Sequence, residues 1–234
     1  MSTFTWFTGR GPILTQQQLE RQRGLRQAAE LDERSLRQQR FVVLDLETSG
    51  LNMRRDQVLS IGAVVIENGA IDLSQQFECT LQSAGHQASV STLIHGIAPS
   101  EIANGEEPAE ALLAFMEFVG DSPLLAFHAE FDQRMLARAL KQSLGYRLQH
   151  AFFDVAEIAP LLCPKANLPH AGLDDWTQHF SLQVHQRHHA SADALVTAEL
   201  ALILFSKARQ QDLDSLPALL RQLNSRRRQR AHSI

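Results

Sequence analysis

A short apolar run that leads into two acids constrains this chain more than any other stretch. Phe41–Leu44 predicts a buried strand, because β-branched and aromatic residues suit the core of a sheet. Asp45 and Glu47 follow two residues apart, so on a strand their side chains leave the same face. Neighbouring acids at a buried strand end lose hydration and repel each other, and a divalent cation is the usual compensation. The alternative is that both acids simply point into water.

Length and composition set the class of protein. The 234 residues suffice for one substantial domain with appendages, and 44% of them are hydrophobic, as a packed core requires. The formal net charge of −4 excludes a uniformly basic nucleic-acid binder, although local basic patches can still bind phosphates. Cys79 and Cys163 lie far apart, without metal-ligand spacing, and predict reduced thiols. Without a signal peptide or an apolar run of membrane length, we expect a cytoplasmic protein with no membrane contact.

The order of predicted elements indicates an α/β fold. Two further strands are expected at 58–66 and 70–81, joined by a tight turn at Asn68-Gly69, which completes an antiparallel meander. Short strands near 123–127 and 152–154 then alternate with helices at 108–119, 131–144, 173–180 and 191–207. Such an order predicts helices covering a mixed sheet, with functional residues at the strand ends.

The two ends of the chain are predicted to flank that domain. Residues 1–39 form an N-terminal segment with a helix expected over 15–40, for which Thr15 is the N-cap and Leu19, Leu25, Leu31 and Leu36 form an approximate helical stripe. The domain covers residues 40–208, with an irregular stretch at 82–106. Residues 209–234 are expected to form a C-terminal helix that ends in a basic tail.

Two later segments place an acid in the first turn of a predicted helix. Asp132 follows the strand near Phe127, and Asp193 begins the last long apolar helix, with His188 five residues before it. The position of each acid alone is explained by the helix dipole, because a carboxylate is favoured near the N-terminal end of a helix. Together with Asp45 and Glu47 they supply four carboxylates and a histidine.

With these four acids and the histidine, the sequence resembles the DEDDh group of DnaQ-like 3′–5′ exonucleases. This group includes the proofreading epsilon subunit of DNA polymerase III, RNase T and oligoribonuclease. The motifs are Asp45-Leu46-Glu47-Thr48, then His128–Asp132, then His188 with Asp193 five residues on. Ser60–Val64 and His95–Ile97 also resemble the family. The resemblance implies a ribonuclease-H-like fold: a five-stranded mixed sheet with helices on both faces.

The resemblance also implies a role for each motif residue. Asp45, Glu47, Asp132 and Asp193 would hold two divalent cations, Mg²⁺ or Mn²⁺, with Asp45 bridging them. His188 would be the general base, favoured over the adjacent His189 by its spacing to Asp193. Zinc is disfavoured, because neither cysteine is suitably placed.

The implied substrate contacts are Thr48, Ser49, His95, Ile97 and His128. A turn satisfied by its own hydroxyl groups is an alternative for Ser49. In one respect the chain departs from the family pattern His-Asn-Ala-x-Phe-Asp. Phe127 and His128 stand where that pattern has His and Asn. That departure bears on substrate contact and not on the metal ligands.

The favoured hypothesis is therefore a metal-dependent exonuclease that acts on single-stranded 3′ ends, with DNA preferred to RNA as the substrate. An RNA-trimming exoribonuclease of the same family is the first alternative, and a non-catalytic module that binds nucleic acid or a polymerase is the second. Residues 211–216 loosely match a sliding-clamp-binding peptide, which would add a clamp or polymerase partner.

Overall fold

A five-stranded mixed sheet forms the centre of the protein in a computed structural model that describes residues 12–83, 90–168, 170–184 and 187–231. Its strands are β1 (Phe41–Thr48), β2 (Val58–Glu67), β3 (Ala70–Thr80), β4 (Leu124–Ala126) and β5 (Phe152–Asp154), in the spatial order β3-β2-β1-β4-β5. β1 pairs antiparallel with β2 and parallel with β4. Asn68 and Gly69 have φ angles of 54° and 76°, as a tight hairpin turn requires. The predicted meander and mixed sheet are confirmed.

Helices cover both faces of this sheet. They are α1 (Gln16–Gly24), α2 (Val90–His95), α3 (Pro99–Ala103), α4 (Pro108–Val119), α5 (Ala129–Leu144), α6 (Val155–Leu162), α7 (Leu173–His179), α8 (Ala190–Gln210) and α9 (Leu216–Ala231). Alternate residues of β1 enter two separate cores. Phe41 and Val43 pack with α6, α8 and α9, whereas Val42 and Leu44 pack with α4 and α5. The expectation of helices on both faces is confirmed.

The N-terminal helix is shorter than the sequence suggested. Thr15 caps α1 as predicted, since its hydroxyl accepts a hydrogen bond from the backbone N–H of Gln18. The helix ends at Gly24, however, and Leu25 is already extended. Leu19, Leu25, Leu31 and Leu36 are five or six residues apart, which does not match the 3.6-residue period of a helix. The prediction of a helix reaching towards residue 40 is therefore wrong.

The stretch predicted to be irregular, 82–106, contains α2 and α3. Pro99 is the first residue of α3, a position that suits proline because the missing N–H would have no helical partner. Residues 84–89 of this stretch and residues 1–11 of the flanking segment lie outside the described residues. In the parts of the chain that are described, no helix is both long and apolar enough to span a bilayer.

Three strands and two helix starts meet at one edge of the sheet. Because β4 and β5 run parallel to their neighbours, the C-terminal ends of β1, β4 and β5 lie on the same edge. Helices α5 and α6 begin directly beyond β4 and β5, so their first turns lie there as well. This edge therefore brings together residues that are more than a hundred positions apart in sequence.

A close approach at Gly62 brings α8 to the same edge. Gly62 pairs with Asp45 across the sheet. A Cβ atom on Gly62 would lie 2.1 Å from the carbonyl carbon of Ala190 and from the backbone nitrogen of Ser191. Only glycine lets the first turn of α8 lie this close to the sheet, and that turn carries Asp193.

Replacing Gly62 with alanine should therefore destabilise the fold. The added methyl group meets backbone atoms that cannot rotate away, and such overpacking costs about 2–3 kcal/mol, or about 5–10 °C in Tm for a chain of this size. Thermal unfolding measures the loss. Gly24→Ala is the matched control, because a Cβ there has nothing within 4 Å and should change stability by less than about 1 kcal/mol. Equal Tm values for the two variants would contradict the close approach.

Candidate metal centre and active site

Three carboxylates converge at the sheet edge. Asp45, Glu47 and Asp193 each offer an oxygen, and these three oxygens lie within 4.8 Å of one another. β1 holds the first two rigidly on one face, and the first turn of α8 supplies the third. Asp193 is buried, whereas Asp45 and Glu47 are half-buried. The structure thus brings three of the four predicted acids together.

The fourth acid, Asp132, lies behind this group in the first turn of α5 and is buried. It accepts hydrogen bonds from its own backbone N–H and from that of Leu46, and its charge acts on Asp45. Asp132 is not one of the three acids whose oxygens converge, but it belongs to the same electrostatic cluster.

Burial and mutual repulsion raise the pKa values of three of these acids, Asp45, Glu47 and Asp132. Loss of hydration, then the charges of Asp132, Glu47 and Asp193, raise the pKa of Asp45 well above its usual value. Loss of hydration raises the pKa of Glu47 to about 7, with Asp193 adding to the effect. It also raises the pKa of Asp132 to about 8, opposed by the backbone hydrogen bonds. When these acids ionise, their oxygens carry closely spaced negative charge. Such a cluster of oxygen ligands fits a hard divalent cation.

Metal binding should therefore stabilise the protein more at pH 8 than at pH 6. The folded-state pKa values of Glu47 and Asp132 are raised, so the metal-free fold loses stability as the pH rises from about 4 towards 8. A cation binds the ionised form and restores that loss, and at a hundred times its Kd it adds about 2.7 kcal/mol. Thermal unfolding in Mg²⁺, with EDTA as the control, should show a Tm increase of about 5 °C at pH 8. A larger increase at pH 6 would contradict the assignment.

Arg187 contributes a positive charge that the sequence did not reveal. Its guanidinium pairs with Asp193, and its Nε lies 2.5 Å from Oδ1 of Asp174 in α7. The positive charge of Arg187 lowers the pKa values of Asp45 and Glu47, against the effect of burial, which raises them. Arg187 therefore partly neutralises the acidic cluster. Its position directly before His188 was the only signal available in the sequence.

The two adjacent histidines have different surroundings. His188 is exposed, has a left-handed backbone with φ of 59°, and donates its backbone N–H to Oδ2 of Asp193 at 3.0 Å. The ring of His189 is held in place, with Nε2 3.4 Å from Glu78 and Nδ1 3.1 Å from the hydroxyl of Ser191. Both histidines lie directly before α8, whose first turn carries Asp193.

A cavity of about 290 Å³ opens beside Glu47 and contains two of the predicted substrate residues. His95 and Ile97 line it, together with His189 and the β-strand residues Ser60 and Thr80. The Nδ1 atom of His95 accepts the backbone N–H of Ile97 at 3.1 Å, which fixes this loop. The cavity is continuous with the acidic cluster through Glu47.

The other three predicted substrate residues lie elsewhere on the edge. Thr48 is buried and donates its hydroxyl to the carbonyl of Gly50 at 2.9 Å. The hydroxyl of Ser49 accepts the N–H of Gln57 at 3.0 Å, so it takes part in a turn. His128 is exposed in the left-handed conformation at the start of α5, with φ of 63°. None of the three lines the cavity beside Glu47.

Asp154 is a second site residue that sequence reasoning missed. It ends β5, caps α6 through the N–H of Ala156 at 2.9 Å, and accepts the N–H of His128 at 3.0 Å. Burial raises its pKa, and its charge acts on Asp132. Asp154 thereby ties the starts of α5 and α6 together. The acid that closes Phe152-Phe153-Asp154 was the signal that could have identified it.

Comparison with known proteins gives one family match and several relatives. The exonuclease family model RNase_T matches residues 42–201. The PolC-type DNA polymerase III of Thermotoga maritima is 32% identical over 162 residues, which is 69% of this chain and 12% of that protein. The chain thus spans about an eighth of the length of this curated relative.

Solved structures share the fold. A zinc-bound complex of Escherichia coli ExoI with single-stranded DNA superposes with a TM-score of 0.62 at 21% identity, over 74% of this chain and 41% of the other. Exonuclease X in complex with 5′-overhanging duplex DNA has a TM-score of 0.57 at 18% identity, over 72% of this chain and 92% of the other.

Proposed function

The chain belongs to the DnaQ-like DEDD family of 3′–5′ exonucleases, and on that premise we propose that it hydrolyses phosphodiester bonds from single-stranded 3′ ends and releases nucleoside 5′-monophosphates. The observation that carries the proposal is the convergence of Asp45, Glu47 and Asp193, with Asp132 behind them, within the matched segment. Four acids kept together despite mutual repulsion favour a catalytic site over a binding module.

The four acids are the proposed metal ligands. Asp45 interacts electrostatically with the other three, which suits a ligand shared between two ions. When bound, two Mg²⁺ or Mn²⁺ ions would activate the attacking water and stabilise charge on the leaving 3′-oxygen. Arg187 already contacts Asp193, so its guanidinium would have to move away or turn towards a substrate phosphate as the site fills.

His188 is the proposed general base. Imidazole suits proton transfer near neutral pH, and the backbone N–H of His188 is bonded to Asp193. The side chain of His188 is exposed, and its backbone is bonded to an acid of the cluster; both features support this role. His189 is held by Glu78 and Ser191 beside the cavity, and we assign it to substrate positioning.

DNA is the favoured substrate, since the E. coli ExoI structure and the Exonuclease X structure both contain DNA. Likeness to part of a PolC-type polymerase supports a polymerase as partner. The match of 211–216 to a clamp-binding peptide has less support, because Ser215 and Leu216 are buried in this structure.

The deciding experiment follows the degradation of 5′-labelled DNA and RNA oligonucleotides of matched sequence, in Mg²⁺ and in EDTA. We expect a ladder that shortens from the 3′ end of single-stranded DNA and stops in EDTA. Shortening of RNA alone would transfer the assignment to the exoribonuclease alternative. No cleavage of either strand in Mg²⁺ or Mn²⁺ would overturn the enzymatic proposal.

A further inference from the structure

The last helix concentrates positive charge in a chain that is negative overall. Residues 216–231 contain five arginines and no acid, whereas the whole chain has a formal net charge of −4. The first half of α9 is apolar and buries Leu216, Leu219 and Leu223 in the core that includes α6 and α8. The basic half follows directly, so packing of the leucines fixes where the arginines lie.

The basic half of α9 lies at the sheet edge that carries the site. Arg227, one helical turn beyond Leu223, directs its guanidinium at the carboxylate of Glu157, with Nε 3.0 Å from Oε2. Glu157 is in the first turn of α6, which starts where β5 ends at Asp154. Arg227 therefore lies beside the edge where the acidic cluster is held.

Other charges at this edge agree with that placement. The hydrogen bond to Glu157 raises the pKa of Arg227, and the carboxylates of Asp154 and Glu130 add to the effect. Glu130 in the first turn of α5 also pairs with the exposed Arg134. Glu157 and Glu130 thus each have an arginine beside them. Exposed ion pairs of this kind contribute at most about 1 kcal/mol, so the arginines can exchange carboxylate for phosphate at little cost.

We propose that Arg227 and the two arginines that flank it on α9, Arg226 and Arg228, bind the phosphates of the nucleic-acid strand that leads away from the site. These three residues are here named the α9 arginine surface; Arg226 and Arg228 project about 100° to either side of Arg227 around the helix. The inference rests on the proposed function and extends it from the reacting end to the body of the substrate. Guanidinium groups bind phosphates in a bidentate manner. The surface therefore strengthens binding of long strands, whereas a mononucleotide is too short to reach it.

The test compares two double variants on two substrates. Arg227→Gln/Arg228→Gln removes two charges from the α9 arginine surface. Arg23→Gln/Arg209→Gln removes two exposed charges near the C-terminal ends of α1 and α8, at the opposite end of the molecule. The substrates are a 20-nucleotide single strand of thymidylate and the p-nitrophenyl ester of thymidine 5′-monophosphate.

For each variant we divide kcat/KM on the 20-mer by kcat/KM on the ester. We expect this ratio to fall about tenfold in the α9 variant, because KM for the 20-mer rises. The same ratio should change less than twofold in the control. The slope of log affinity against log salt concentration should become shallower by about 1.4, since each single-strand phosphate contact contributes about 0.7. Glu157→Gln removes the competing carboxylate, so it should lower KM for the 20-mer.

The possible outcomes separate the two proposals. If the unsubstituted protein hydrolyses neither substrate, the proposed function fails. If it hydrolyses both and the α9 variant behaves like the control, the surface does not bind the substrate and the present inference is overturned. A raised KM for the 20-mer in Glu157→Gln would also overturn it, because that result would point to a purely structural role for the pair of Arg227 and Glu157.

Discussion

Asp45→Asn should lower kcat on a single-stranded oligonucleotide by at least about 10³-fold. Asp45 lies on β1, and the charges of the other three acids all act on it. The substitution keeps the shape of the side chain but removes the charge that a shared metal ligand needs. A 10³-fold loss corresponds to about 4 kcal/mol of transition-state stabilisation, which is reasonable for a ligand common to two ions.

The fold should survive this change, because burial and the neighbouring acids already favour the neutral form of Asp45 in the metal-free protein, and asparagine is neutral as well. Circular dichroism and Tm provide that check. Asp121→Asn is the matched control: Asp121 lies just before β4, at the edge opposite the site, and 3.9 Å from Arg26. The control should retain full activity. An Asp45→Asn protein within tenfold of the unsubstituted rate would contradict the proposed ligand set.

His188→Ala should lower kcat by about 10²–10³-fold, the range expected when a general base is lost. His189→Ala should lower it less than tenfold and act mainly on KM, because the ring of His189 lies in the cavity beside Glu47. Neither substitution removes a carboxylate, so both variants should keep the metal-dependent rise in Tm. Steady-state kinetics on the same oligonucleotide compare the two. A larger loss of kcat in His189→Ala would move the role of base to that residue.

The fold was predictable wherever local patterns are strong. The apolar run of β1, the hairpin turn at Asn68-Gly69 and the helical spacing in α4 and α8 each specify their own conformation. The predicted extent of α1 was wrong, because leucines spaced five or six residues apart do not form one face of a helix. Residues 25–35 instead make contacts with distant parts of the chain. The backbone N–H of Ala29, for example, donates a hydrogen bond to the backbone carbonyl of Asp121.

The site was only partly predictable, for a similar reason. The four acids could be named because each lies in a recognisable motif. Arg187 and Asp154 lie in no such motif, and their importance depends on contacts with Asp193 and His128 that only the folded chain creates. The close approach at Gly62 is likewise invisible in sequence, because α8 follows it by more than a hundred residues.

Counting bound metal ions tests the central claim most directly. Equilibrium titration with Mn²⁺ at pH 8, followed by electron paramagnetic resonance in the presence of thymidine 5′-monophosphate, reports how many ions each chain holds. We predict two ions for the unsubstituted protein and at most one for Asp45→Asn. Failure of the unsubstituted protein to bind Mn²⁺, or binding of two ions by Asp45→Asn with unchanged affinity, would contradict the account.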